Sequence, residues 1–345
     1  MKSNKKIFFF IFFYFLLSDQ IKDKLSDYNI YLGDPHNLIT NKEFIPYELI
    51  TPLFSDYAYK HRSIYIPENK KIQYHAKEAF QFPVGTIIAK TFYYPKDFND
   101  LNQGISLKET RIMINKENGW IGLPYIWNDN ETDAFLDVAG GIKEANWIDI
   151  DGNKQSINYI IPNMNQCKGC HNNSNKFVPI GPTARQLNSD YQYKEGIKNQ
   201  LMKWNELELF YDLPEFDEIP VIARWNDFEN YSINLRARAW LDINCAHCHN
   251  VNGPANNTGL YLDYYETDPK TLGIFKTPVA AGRGSGYLKY DIVPGEPDES
   301  ILVYRFNSTD PGIMMPELGR TMIHKEGLEL IKSWIEDINL SRVKF

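Results

Sequence analysis

All four cysteines of this 345-residue chain fall in two strings of one form, Cys167-Lys168-Gly169-Cys170-His171 and Cys245-Ala246-His247-Cys248-His249. No thiol is left over for a structural disulfide. In each string the two cysteines are one helical turn apart, so they face the same side, and a histidine follows directly. Cys-x-x-Cys-His is the attachment signature of c-type haem. Each thiol can form a thioether with one vinyl group of a single porphyrin, and the histidine is then carried beneath the ring, where its Nε2 reaches the iron. The motifs therefore predict two covalent haem c groups. Cys167 and Cys170 would hold one, with His171 on its iron; Cys245 and Cys248 would hold the other, with His249. A zinc or iron–sulfur centre drawing on both cysteine pairs is the alternative. It needs no histidine after each second cysteine, and it would have to join distant segments. A thioredoxin-like dithiol is a third reading.

The first residues fit an exported chain. Three lysines lie within Met1 to Lys6, and Ile7 to Leu17 is an unbroken apolar run of 11 residues. That is the charged and apolar layout of a secretory signal peptide, expected over residues 1–18. The run is short for a membrane span, which needs about 20 apolar residues. A membrane contact is expected only if this segment stays uncleaved. The net charge of −7 includes no basic run of the kind that tracks phosphates, so nucleic acid is not an expected partner. A redox partner protein is.

Past the leader, the spacing predicts β structure over residues 30–162. Val84 to Tyr94 is rich in β-branched and aromatic residues. Glu117-Asn118-Gly119 and Asp151-Gly152 read as hairpin turns between alternating runs. A first haem-binding segment is expected over 163–213, containing a helix from Glu195 to Phe210 with Ile197, Leu201, Trp204 and Leu207 inward. An acidic, proline-bounded linker follows over 214–230. A C-terminal cytochrome c unit is expected over 231–342. Its helices would run from Ser232 to Asn244 and from His324 to Ile338, separated by a Gly/Pro-rich stretch from Gly253 to Pro316. The expected fold class is thus multi-domain α+β: an antiparallel sandwich or barrel-like domain, then mostly helical cytochrome c-like haem units.

A haem that only carries electrons has a second axial ligand, often methionine. Met315, held by Pro316 in an irregular loop, is the candidate for the second haem, with Met314 in reserve. For the first haem the weaker candidate is Met202, whose helical spacing also suits simple core packing. His36, His61 and His75, in the β part, could reach the first haem across a domain interface, though each alone reads as a solvated surface side chain, and His247 is expected to point outward between its cysteines. Arg185, Arg283 and Arg320, in loops near the motifs, are candidates to meet the haem propionates.

These strings carry a family likeness. The second motif, Gly253-Pro254, Ala281-Gly282-Arg283-Gly284, Val293-Pro294-Gly295-Glu296-Pro297 and Met314-Met315-Pro316-Glu317-Leu318-Gly319-Arg320 resemble a family of bacterial dihaem c-type cytochromes, mostly unassigned in function. Phe82-Pro83-Val84-Gly85-Thr86 and Gly181-Pro182-Thr183-Ala184-Arg185 resemble its upstream part. The likeness implies two c-haems, a periplasmic or otherwise exported location in a Gram-negative bacterium, and electron transfer.

Three functions follow as expectations. The first is a secreted dihaem electron-transfer protein. The second is a dihaem redox enzyme, peroxidase-like or oxidase-like, with an open first haem beside a substrate pocket in the β domain. The third is a haem-bearing binding or docking module.

Overall fold

The computed structural model describes residues 21–339. The expected signal peptide, residues 1–18, lies outside the described residues, as does the end of the expected C-terminal unit. Among the described residues no helix is long and apolar enough to cross a membrane.

The first half is organised by one open antiparallel sheet. Its strands are β1 (Ile45–Tyr47), β2 (Tyr59–Tyr65), β3 (Ile87–Pro95), β4 (Ile105–Lys116), β5 (Gly119–Trp127) and β6 (Ala134–Leu136), joined as a simple meander in that order. The Glu117-Asn118-Gly119 turn closes the β4–β5 hairpin, with Lys116 opposite Gly119. Gly119 takes a φ of +108°, which a side chain would resist. A separate two-stranded ribbon, β7 (Gly141–Ile148) and β8 (Lys154–Ile161), turns at Asp151-Gly152 and packs on β3. There the Tyr94 and Trp147 rings pack at a tilt of 31° with centres 4.8 Å apart.

Alternation along the strands gives the sheet two apolar faces. One side chain set, with Ala89, Ile112, Leu123 and Tyr125, is covered by Leu25, Tyr28 and Ile30 of the N-terminal segment. The other, with Ile64, Ile88 and Met113, packs against residues from the second half of the chain, including Leu187, Leu201, Trp204 and Ile243.

The second half corrects the expected fold class. It is not a set of mostly helical cytochrome c-like units: helix makes up 23% of the structure, and among the described residues four of the six helices reach seven residues. They are α1 (Met164–Cys170), α2 (Ala184–Leu187), α3 (Gln200–Glu206), α4 (Ile233–Leu241), α5 (Ile301–Phe306) and α6 (Lys325–Asp337). Two local reasons account for the shortfall. The helix expected from Glu195 starts only at Gln200, because the chain first forms a hairpin, β11 (Asp190–Tyr193) and β12 (Gly196–Asn199), after the small pair β9 (Asn172–Asn173) and β10 (Lys176–Phe177). Asn199 then caps α3, accepting from the Leu201 amide at 2.9 Å. Ile197, expected inside, is 70% exposed on the hairpin. The Gly/Pro-rich stretch supplies the other reason, since it is built of turns, single 3-10 turns and the short α5.

The elements that do form helices are held by apolar stripes. In α6, Leu328, Ile331, Trp334 and Ile335 are buried against Ala237, Trp240 and Leu241 of α4. Trp334 Nε1 also donates to Asn234 Oδ1 at 3.0 Å. Ser232 caps α4. Ile219, Ile222 and Ala223 of the expected linker are buried.

Candidate functional site

The two Cys-x-x-Cys-His strings meet. Cys248 Sγ lies 4.0 Å from the Gly169 carbonyl, although the two residues are 79 positions apart in the chain. Beside them the Ser174 amide donates to the Asn252 carbonyl at 2.8 Å. Each string is shaped locally. Asn163 and Gln166 form a reciprocal cap at the start of α1, which carries Cys167 and Cys170 on its last turn. The second string follows α4 through a π-type turn over Asp242–Ala246, a distortion frequent at functional sites. Gly253 has no alternative there, since a Cβ would stand 2.3 Å from the Cys248 carbonyl oxygen.

The first string faces a cavity of about 400 Å³ between the sheet and the second half of the chain, within the size range of small-molecule sites. Cys167, Cys170 and His171 all line it. His171 is fixed by its own hairpin: Nδ1 lies 2.7 Å from the Val178 carbonyl, which sets the tautomer and leaves Nε2 free. Its ring stacks on Phe177 at 5.1 Å. Gly122 on β5 lets this arrangement sit against the sheet, for a Cβ there would come within 2.8 Å of the Phe177 ring. Burial, and then the Lys90 charge, push the His171 imidazole down to about 3, so it is neutral. Burial likewise raises both thiols of this string above their ordinary range.

The second string is set differently. Cys245 is buried in the apolar core of α4, α5 and α6, and burial pushes its thiol far up. Cys248 is pushed up to about 12, first by burial and then by Cys170. His249 turns away from the cavity, its Nδ1 3.5 Å from Thr258 Oγ1, and burial lowers it to about 4. The residue of this string that lines the cavity is His247, expected to point outward. Its Nδ1 is buried and has no hydrogen-bond partner.

Met314 and Met315 line the same cavity as His171, and Leu318, just beyond them, touches Gly169 of the first string. Arg320 lies beneath this loop. Its guanidinium donates to the carbonyls of Met315, Met322, Arg305, Phe306 and Ser308. Met202 is 45% exposed on α3 and does not line the cavity. Arg185 forms a buried ion pair with Asp242 at 2.9 Å, and Arg283 an exposed one with Asp310, also at 2.9 Å.

The donor set corrects the cofactor expectation. Two covalent haem c groups require two separate sites, each with its own cysteines and axial histidine. Here one cavity receives the first string and both methionines, while Cys245 and His249 stand outside its lining. The four cysteines are unpaired thiols, and among the described residues no group of three or more His, Cys, Asp or Glu side chains comes together to hold a metal ion. The residues present do not fit two haem sites.

Sequence reasoning also missed the cavity's sheet wall. Lys60, Arg62, Lys90 and Arg111 line it from β2, β3 and β4. The signal was available as cations at inward-facing positions of otherwise apolar strands. Comparison of the chain with protein-family models, with curated proteins and with solved structures finds no match in any of the three.

Proposed function

We propose that this chain is an exported electron-transfer protein whose redox chemistry is centred where the two Cys-x-x-Cys-His strings meet, and which works with a redox partner protein. The observation that carries the reading is the contact of the strings. Residues 79 positions apart in the chain bring Cys248 to Gly169, beside a cavity lined by Cys167, Cys170, His171, Met314 and Met315. The reading calls for a single one-electron redox group bound at this cavity, for which the sulfurs of Cys167, Cys170, Met314 and Met315 and the neutral His171 imidazole would be soft donors.

Voltammetry of the protein purified after export tests this. The expected result is a reversible wave of one-electron width, lost in the double variant Cys167→Ser/Cys170→Ser while circular dichroism stays unchanged. A two-electron wave of thiol–disulfide character, or no wave in the parent protein, overturns the reading.

A second reading, a redox enzyme, is favoured by one specific feature. The cavity beside His171 is large enough for a small molecule, more than a carrier needs. Turnover of a small oxidant or reductant by the same protein would move the conclusion there.

A further inference from the structure

The register of the sheet sets three cations side by side. Arg62 on β2 lies opposite Lys90 on β3, and Lys90 lies opposite Arg111 on β4. Like charges directly across neighbouring strands destabilise a sheet. Lys60, two residues from Arg62 and on the same face, adds a fourth, and all four line the cavity. Lys60 Nζ, Lys90 Nζ and the Arg111 guanidinium carbon also converge on the Phe92 ring, at 5.7, 5.0 and 4.2 Å from its centre.

The protein neutralises only part of this row. Glu109 takes Arg111 through two hydrogen bonds, 2.8 Å from Nε to Oε2 and 2.5 Å from Nη2 to Oε1, and Tyr159 donates to the same carboxylate. Asp56, also in the lining, is committed elsewhere: it accepts from the Thr321 amide, the Thr321 hydroxyl and the Met322 amide. Arg62 is 6% exposed, and its guanidinium makes one long contact, 3.5 Å to the Lys60 carbonyl. No ion pair engages Arg62, Lys90 or Lys60 among the described residues, and Lys60 Nζ donates only to the Ala58 carbonyl, at 2.9 Å. The electrostatic consequence is visible at the lysines. Burial, then Arg111 and Arg62, push Lys90 down to about 7, and burial and the neighbouring cations drive Lys60 well below its ordinary value.

Next to the cations the wall is apolar, with Leu53, Ile88, Met113, Phe177 and Ile180, while Glu317 and Arg320 line the loop side. A buried charge without a partner is costly, and a guanidinium fork matches a carboxylate in shape. We infer that the cavity is a binding site for an organic carboxylate with an apolar body, its carboxylate on Arg62 and Lys90 and its body against Ile88, Met113 and Phe177. A heavily hydrated inorganic anion matches the cations but not the apolar wall. The site stands on the sheet's register and does not depend on the electron-transfer reading.

Isothermal calorimetry on the full exported protein, with isophthalate as probe, tests the site without reading any electron. Isophthalate is expected to bind, and the neutral isophthalamide not to. Arg62→Gln and Lys90→Met are each expected to weaken isophthalate at least ~10-fold, about 1.4 kcal/mol, while the melting temperature holds or rises. If Arg62→Gln fails to fold, Lys90→Met reads the same contact from the next strand. Failure of isophthalate to bind the parent protein overturns the inference. So does equal affinity for isophthalamide or inorganic phosphate, or unchanged affinity in the folded variants. None of these outcomes bears on the voltammetric wave.

Discussion

Two arginines wall the same cavity from opposite sides and are treated differently. Arg320, on the loop side, is 7% exposed, and Arg62, on the sheet side, is 6% exposed. Burial pushes both guanidiniums down from their ordinary value. Arg320 nevertheless donates to five backbone carbonyls and so knits residues 305–322 into one loop. Arg62 has a single long contact to a neighbouring carbonyl. The first is a structural bolt. The second is a charge the fold leaves available. Equal burial therefore says little about role; the hydrogen-bond inventory separates them.

The same substitution at the two sites should act with opposite sign. Arg320→Met keeps much of the volume but takes the donor from five partly or fully buried carbonyls, of which Arg305 alone keeps a second one from the Met315 amide, and should cost about 3 kcal/mol of stability. Arg62→Met removes a desolvated cation that has no ion pair and only the Glu48 charge acting on it without contact, and should stabilise the unliganded protein by about 1 to 2 kcal/mol. Urea unfolding of both variants beside the parent checks this. If both destabilise to a similar degree, the sheet wall is as well satisfied as the loop wall and the contrast is gone.

A smaller effect sharpens the sheet side alone. Lys90 has a folded value near 7 against about 10.5 unfolded, set by burial, Arg111 and Arg62, with Glu109 and Cys167 opposing. Between those values the unfolded chain holds more protons than the folded one, so stability rises with pH. The penalty is fully present below about 7 and relieved above it. After allowance for screening, the Lys90→Met variant should lack about 1 kcal/mol of the gain the parent shows between roughly pH 7 and pH 9. Parallel slopes for the two proteins would show that Lys90 keeps its ordinary charge.

This contrast also marks what the chain's letters disclose. The hairpins at Gly119 and Gly152 were legible because the turn chemistry is local. So was the stripe of α6, whose period stays within one element. The α3 region misled, since Ile197, Leu201, Trp204 and Leu207 fit a helical period while Gly196 and Asn199 impose a turn and a cap. The cavity's loop wall was half visible: Met314, Met315 and Arg320 stood out as candidates, but Arg320 proves to bind carbonyls of its own loop. The cation row was legible only as single cations in otherwise apolar strands; that Arg62, Lys90 and Arg111 are neighbours follows from strand register, which the letters do not disclose. His247 was misjudged for a similar reason, its orientation being set by a π-type turn that spacing does not announce.

The smallest expected effect belongs to Arg283, which lies on the loop side yet outside both kinds of wall. Its side chain is 68% exposed and its partner Asp310 is 43% exposed, at 2.9 Å. An ion pair so open to water gains little Coulomb energy and fixes a long side chain in place. Arg283→Ala should therefore shift stability by less than about 0.5 kcal/mol, and leave both isophthalate affinity and the voltammetric wave where they were. Arg283 also lies across Gly312, just ahead of the two methionines. A shifted wave with unchanged stability would therefore mean that this exposed pair sets the position of Met314 and Met315, and that the working part of the loop reaches beyond the cavity wall to the surface.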